Sequence, residues 1–114
     1  MAFSAVVTQP DGAAVITLHG EIDGAADEGI SASYVEATAS SPKTVLLNFA
    51  EVSYINSTGI ALIVGLLAQA RGADIKIMAC GLTDHYKEIF EITRIADFVE
   101  MFGTEQEALT AAVG

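Results

Sequence analysis

The sequence predicts an α/β domain with a mixed, mostly parallel sheet of four to five strands and about four helices. Three observations carry that expectation. Beyond residue 20, short β-rich runs alternate with stretches of helical periodicity, the pattern of parallel strands joined by right-handed helical crossovers. The 114 residues suffice for one hydrophobic core and not for two ordinary domains, so a single domain over 1–114 is expected. Hydrophobic residues make up 52% of the chain and charged residues 18%, a balance far from that of a disordered chain.

The elements follow in order. Phe3 to Thr8 and residues 13–20 are rich in β-formers and flank Pro10-Asp11-Gly12, which predicts an opening hairpin. After Glu21-Ile22-Asp23-Gly24, an Ala-rich segment with Ile30, Tyr34 and Ala37 near helical spacing forms the first helix, stopped by Ser40-Ser41-Pro42. Thr44 to Phe49 is apolar on both faces, as central strands of α/β sheets are. Ser57 to Arg71 carries Ile60, Ile63, Val64 and Leu67 at i, i+3, i+4 and i+7 and meets Gly72, giving a second helix with a C-terminal stop. Asp74 to Ala79 reads as a strand, Thr83 to about Thr93 as a helix with Tyr86, Ile89 and Phe90 inward, and Phe98 to Phe102 as a short last strand. Thr104-Glu105-Gln106-Glu107 forms a capping box that opens the final helix, through about Val113.

Composition narrows the function. With 15 Asp and Glu against 5 Lys and Arg, the formal net charge is -10, which repels nucleic-acid phosphates and anionic membranes. The chain is therefore expected to bind no nucleic acid, and its carboxylates to form a well-solvated surface. Cys80 is the lone cysteine. It can form no intramolecular disulfide or CxxC site, fits a reducing cytoplasm, and beside Ile75, Ile77 and Met78 reads as a small buried residue at a strand end. Met1 to Val7 lacks a basic n-region and soon meets a turn, so no signal peptide is expected. The uncharged run Gly59 to Ala68 falls short of the ~20 residues needed to cross a bilayer, so no direct membrane insertion is expected.

The informative stretch is Val52-Ser53-Tyr54-Ile55-Asn56-Ser57-Thr58-Gly59-Ile60, placed between a central strand and the second helix. Small hydrogen-bonding side chains at a helix start satisfy orphan N–H groups, and capping accounts for one of them. A hydroxyl there is also a natural charge switch. A phosphate adds about 1.5 to 2 negative charges beside the positive end of the helix macrodipole. The second helix has no charge from Ser57 through Ala70 and presents Ala61, Leu62 and Leu66 away from its expected core stripe. Either neighbouring helices bury both flanks or part of this surface docks a partner.

Gly20-Glu21-Ile22-Asp23, the strand Val45-Leu46-Leu47-Asn48-Phe49 and above all Val52 through Gly59 resemble the STAS domain family of sulfate-transporter tails and anti-sigma-factor antagonists. The resemblance covers roughly residues 3–113. It implies a STAS-like sheet with helices packed mainly on one face, acting as an anti-anti-sigma factor that catalyses nothing and uses no cofactor. In such proteins the unmodified form binds an anti-sigma factor of serine-kinase type. Phosphorylation of a serine ends the binding, and a PP2C-type phosphatase restores it. That serine matches Ser57, with Thr58 and Gly59 beside it. By analogy Glu21 and Asp23 line the same partner-facing end, and Asn56, Leu62 and Leu66 complete the expected docking set. Asn56 stands where such proteins most often carry Asp. If that Asp activates the hydroxyl, phosphorylation is slower here; if it serves as an N-cap, Asn replaces it almost without loss.

Other readings are weaker. Ser57 lacks a Gly-x-Ser-x-Gly elbow, and a hydrolase would have to use His19, in a strand, or His85, in a first helical turn, as base. No phosphate-binding or dinucleotide-binding glycine motif is present, and Asp23, Asp27 and Glu28 match no calcium loop. The same fold also serves as a STAS subunit of ABC-type lipid transporters, and a structural subunit of a stress-signalling assembly is a third possibility.

Overall fold

The computed structural model describes residues 2–113. The strands are β1 (Ser4–Thr8), β2 (Ala14–Ile22), β3 (Thr44–Ile55), β4 (Lys76–Cys80) and β5 (Glu100–Phe102), and the helices are α1 (Asp27–Thr38), α2 (Ser57–Gly72), α3 (Asp84–Ile92) and α4 (Glu105–Val113). They form one five-stranded sheet in the order β1-β2-β3-β4-β5, with β1 antiparallel to β2 and the remaining pairs parallel. The expected α/β architecture is the observed one.

Strand alternation divides the core. Ala14, Ile16, Val45, Leu47, Phe49, Ile77 and Ala79 point to the face covered by α1, α2 and α3. Their neighbours Val15, Leu46, Met78 and Cys80 point to the opposite face, against Ala108 of α4. Because strand order follows chain order, crossovers of a single hand put α1, α2 and α3 on one face. Only α4, which follows the last strand, goes to the other. Its capping box forms as the sequence predicts: the Glu107 N–H donates to Thr104 Oγ1 at 3.2 Å, and Glu107 Oε1 accepts from the Thr104 N–H at 3.1 Å. Asn48 Nδ2 ties β3 to this helix by donating to Glu105 Oε1 at 2.9 Å.

Several strand boundaries differ from the sequence reading, β2 continuing to Ile22 among them. β3 continues past Phe49 to Ile55, so Val52 to Ile55 are strand. Its pairing with β2 runs Thr17 to Asn48, His19 to Glu51, Gly20 to Val52 and Glu21 to Tyr54, with β3 carrying an extra residue at two points. Such bulges break the two-residue alternation by which a strand is read from sequence, leaving Ala50, Glu51, Ser53 and Tyr54 exposed while Ile55 returns to the core. β4 begins at Lys76 because Asp74 has φ 59, a left-handed conformation that belongs to a turn. β5 begins at Glu100 because residues 95–97 form a 3₁₀ turn whose Ile95 carbonyl accepts from the Phe98 N–H at 2.9 Å.

The inward stripe of α2 is also rotated from the expected one. Gly59, Ile63, Leu66, Leu67 and Ala70 are buried, whereas Val64 is 47% exposed and Ile60 half-buried. Leu66, expected on a docking surface, is 5% exposed and belongs to the core. The reason is α1, which lies along that flank of α2 with Ile30 and Tyr34 toward it. Leu62 is half-buried and packs against the same core. The flank carrying Val64 has no such cover.

Candidate functional site

The site lies at the carboxyl ends of β2 and β3, the edge at which open α/β sheets present their functional residues. Glu21 pairs with Tyr54 and Ile22 with Ile55, so the two strands end level. Asn56 alone separates β3 from α2. Its N–H donates to the Ile22 carbonyl at 3.2 Å, which extends the ladder by one bond, and its carbonyl accepts from the Ile60 N–H at 2.9 Å, which starts the helix.

Asn56 is the N-cap. Its extended backbone turns into the helix and its Oδ1 accepts from the Gly59 N–H at 2.8 Å, removing one orphan donor of the first turn. An amide oxygen performs this task as a carboxylate would. Ser57 and Thr58 are then the first two helical residues, and both side chains are exposed. The Ser57 hydroxyl has no hydrogen-bond partner among the described residues. It stands at the positive end of a 16-residue helix, where added negative charge is favoured.

Gly59 lets this turn sit against β2. A Cβ there would lie 1.9 Å from the Ile22 carbonyl oxygen, so only glycine permits the close approach. Asp23 leaves β2 and caps the 3₁₀ turn of residues 24–26, with its Oδ1 accepting from the Ala25 N–H at 3.0 Å. That turn brings Gly24 next to Thr58, whose methyl group would be 3.5 Å from a Cβ at Gly24. Glu21 and Asp23 are half-buried beside the helix start. Thus Glu21, Asp23, Asn56, Ser57, Thr58 and Gly59 come together, Leu62 lies on the adjoining turns of α2, and Leu66 is excluded by burial.

The structure adds two residues that sequence reasoning missed. Tyr86 of α3 accepts from the Ile55 N–H at 2.9 Å through its hydroxyl, fixing the end of β3; periodicity marked it as inward but could not give it this partner. Tyr54 is 51% exposed opposite Glu21, a large apolar side chain beside the exposed hydroxyls. Its exposure follows from the β3 bulges, which the register with β2 sets and no local sequence signal marks.

Among the described residues no imidazole hydrogen-bonds the Ser57 hydroxyl. His85 is exposed and packs edge-on against Tyr86 with ring centroids 4.9 Å apart, and His19 lies within β2. The arrangement can present, cap and bear charge at a hydroxyl.

Residues 4–108 match the STAS domain family. The chain belongs to that family. Over 61 residues this STAS domain is 34% identical to the anti-sigma-B factor antagonist of Listeria monocytogenes, a match covering 54% of each chain; the match thus spans about half the length of that relative. Its fold is that of an anti-sigma factor antagonist from Mycobacterium paratuberculosis, with a TM-score of 0.85 at 18% identity over 99% of this chain and 96% of the other. It is also that of SpoIIAA. The unphosphorylated form gives a TM-score of 0.75 at 24% identity over 99% of both chains. The phosphorylated form, from Bacillus, gives 0.73 at 22% over 95% and 98%. No helix among the described residues is long and apolar enough to cross a membrane.

Proposed function

We propose that this STAS domain is an anti-sigma factor antagonist whose binding to a serine-kinase-type anti-sigma factor is controlled by phosphorylation of Ser57. The observation that carries this reading is the exposed, unpartnered Ser57 hydroxyl at the first position of α2, held at the carboxyl edge of the sheet by the Asn56 cap and the close Gly59 contact. The Listeria relative supports it by its name, and SpoIIAA by being known in both phosphorylated and unphosphorylated forms.

In this scheme the unmodified edge docks the anti-sigma factor through Ser57, Thr58, Tyr54 and the flanking Glu21 and Asp23, with Leu62 at its margin. Phosphate at Ser57 adds about 1.5 to 2 negative charges. The helix start accommodates them without refolding, while two carboxylates already stand beside that surface, so a partner matched to the neutral hydroxyl loses charge and hydrogen-bond complementarity. A PP2C-type phosphatase restores the binding form. The domain acts in the cytoplasm by binding rather than by catalysis. Since Asn56 completes the cap with an amide, its principal task is to set the helix start.

The test is parallel affinity capture from native cytoplasm with wild type, Ser57→Ala and Ser57→Asp. An ATP-binding anti-sigma kinase retained by the first two and lost by the third is expected. Equal retention by the alanine and aspartate forms would falsify the switch, and a transport ATPase held by all three would identify a transporter subunit instead.

A further inference from the structure

A predominantly apolar concavity lies far from Ser57. It opens between the C-terminal half of α2, the start of β4 and the connection from α3 to β5, and measures about 420 Å³, within the roughly 300–1,000 Å³ range of small-molecule sites. Val64 and Phe98, 47% and 56% exposed, form its apolar walls with Ile75. Burial of this surface is left undone by the fold.

Charge is distributed unevenly around it. The chain has 5 Lys and Arg against 15 Asp and Glu, yet three of those five cations, Arg71, Lys76 and Arg94, line this one cavity. Lys76 meets Glu100 at 3.0 Å and Arg94 meets Asp97 at 2.6 Å, exposed pairs of little net strength. Arg71 instead lies over the Phe98 ring, 5.0 Å from its centroid, and has no carboxylate partner among the described residues. Arg94 is placed at a conformational cost. It follows the end of α3 with φ 68, the position where glycine is the favoured residue. A charged side chain in that conformation, at the rim of an apolar cavity and near a guanidinium that meets no carboxylate among the described residues, suits an anionic head group above an apolar body.

We infer that this cavity binds an amphiphilic monocarboxylate, its acyl or aryl portion against Val64, Ile75 and Phe98 and its carboxylate on Arg71, with Arg94 beside it. One lining cation without a carboxylate partner among the described residues matches a single negative charge. Ser57 and Arg71 sit at opposite ends of α2, about 21 Å apart at 1.5 Å per residue, so the inference stands independently of the phosphorylation switch.

The experiment is an amide NMR titration of the full chain with decanoate below its micelle concentration, with decanol as the neutral counterpart. Saturable shifts at Val64, Ala68, Ile75 and Phe98, and none at Asn56 or Ser57, are expected. Arg71→Gln should weaken decanoate about three- to fivefold while leaving decanol unchanged, and Phe98→Ser should weaken both. Arg71 is exposed, so its substitution should leave the melting temperature near that of wild type; if it does not, Arg94→Gln serves as the charge variant. Shifts that never saturate, shifts spread over the whole surface, or equal decanoate affinity in wild type and the charge variant would overturn the inference.

Discussion

Two glycines of α2 should respond to the same substitution in opposite directions. At Gly59, an added Cβ meets the Ile22 carbonyl oxygen at 1.9 Å and its carbon at 2.8 Å. Restoring even a 3.0 Å contact requires a displacement of about 1.1 Å between the helix start and β2, well beyond ordinary side-chain relaxation. That movement strains the packing by about 1–3 kcal/mol and weakens the Asn56-to-Ile22 hydrogen bond, worth about 1 kcal/mol. Alanine's better helix propensity offsets about 1 kcal/mol. Gly59→Ala is thus expected to destabilise the fold by about 2 kcal/mol, a fall in melting temperature on the order of 10 °C. At Gly65 nothing lies within 4 Å of the added carbon, and Gly65→Ala should stabilise by about 0.5–1 kcal/mol. Urea titrations followed by circular dichroism measure both. Shifts of the same sign, or no loss at Gly59, would refute the close approach that holds Ser57 at the sheet edge.

Other outcomes follow from burial and capping. Leu66→Ala should cost about 2–5 kcal/mol in urea unfolding because the side chain is core, and a near-neutral result would return it to the surface. Asn56→Ala should lose about 1 kcal/mol while Asn56→Asp keeps or slightly exceeds wild-type stability, since either side chain caps and the carboxylate also favours the helix dipole; a clear loss in the aspartate variant would contradict the capping role. Burial, with a smaller contribution from the Glu105 charge, pushes the Cys80 thiol from its ordinary 9.0 up to about 11. A group raised on folding stabilises below its unfolded value and loses that contribution through its folded one, so this part of the stability should decline between pH 9 and about 11. The folded protein should react slowly with an aromatic disulfide reagent at pH 8, and rapid reaction would show the thiol to be accessible.

The longest legible features were those with local causes. Helical periodicity and the Pro42 stop defined α1, and the Thr104-to-Glu107 spacing defined the start of α4, because caps and stops are written within a few residues. The segment Asn56 to Gly59 was legible for the same reason: an N-cap, two exposed hydroxyls and a glycine at the third helical position form a local pattern with a definite geometry. Cys80 could be placed inside from its strand neighbours.

Long-range contacts decided the rest. The β3 bulges arise from its register with β2, so the strand's extension to Ile55 and the exposure of Tyr54 could not be read from β3 alone. Which face of α2 turns inward depends on where α1 and the sheet lie. Periodicity identified an apolar helix, but an almost uniformly apolar helix carries a weak directional signal, and packing exchanged the expected roles of Val64 and Leu66. The hydrogen bond from Ile55 to Tyr86 joins residues 31 positions apart. By itself the sequence determined the order of elements and the chemistry of the switch turn, because those rest on neighbours in the chain; the tertiary structure alone decided which apolar side chains remain exposed, because that depends on surfaces supplied by distant elements.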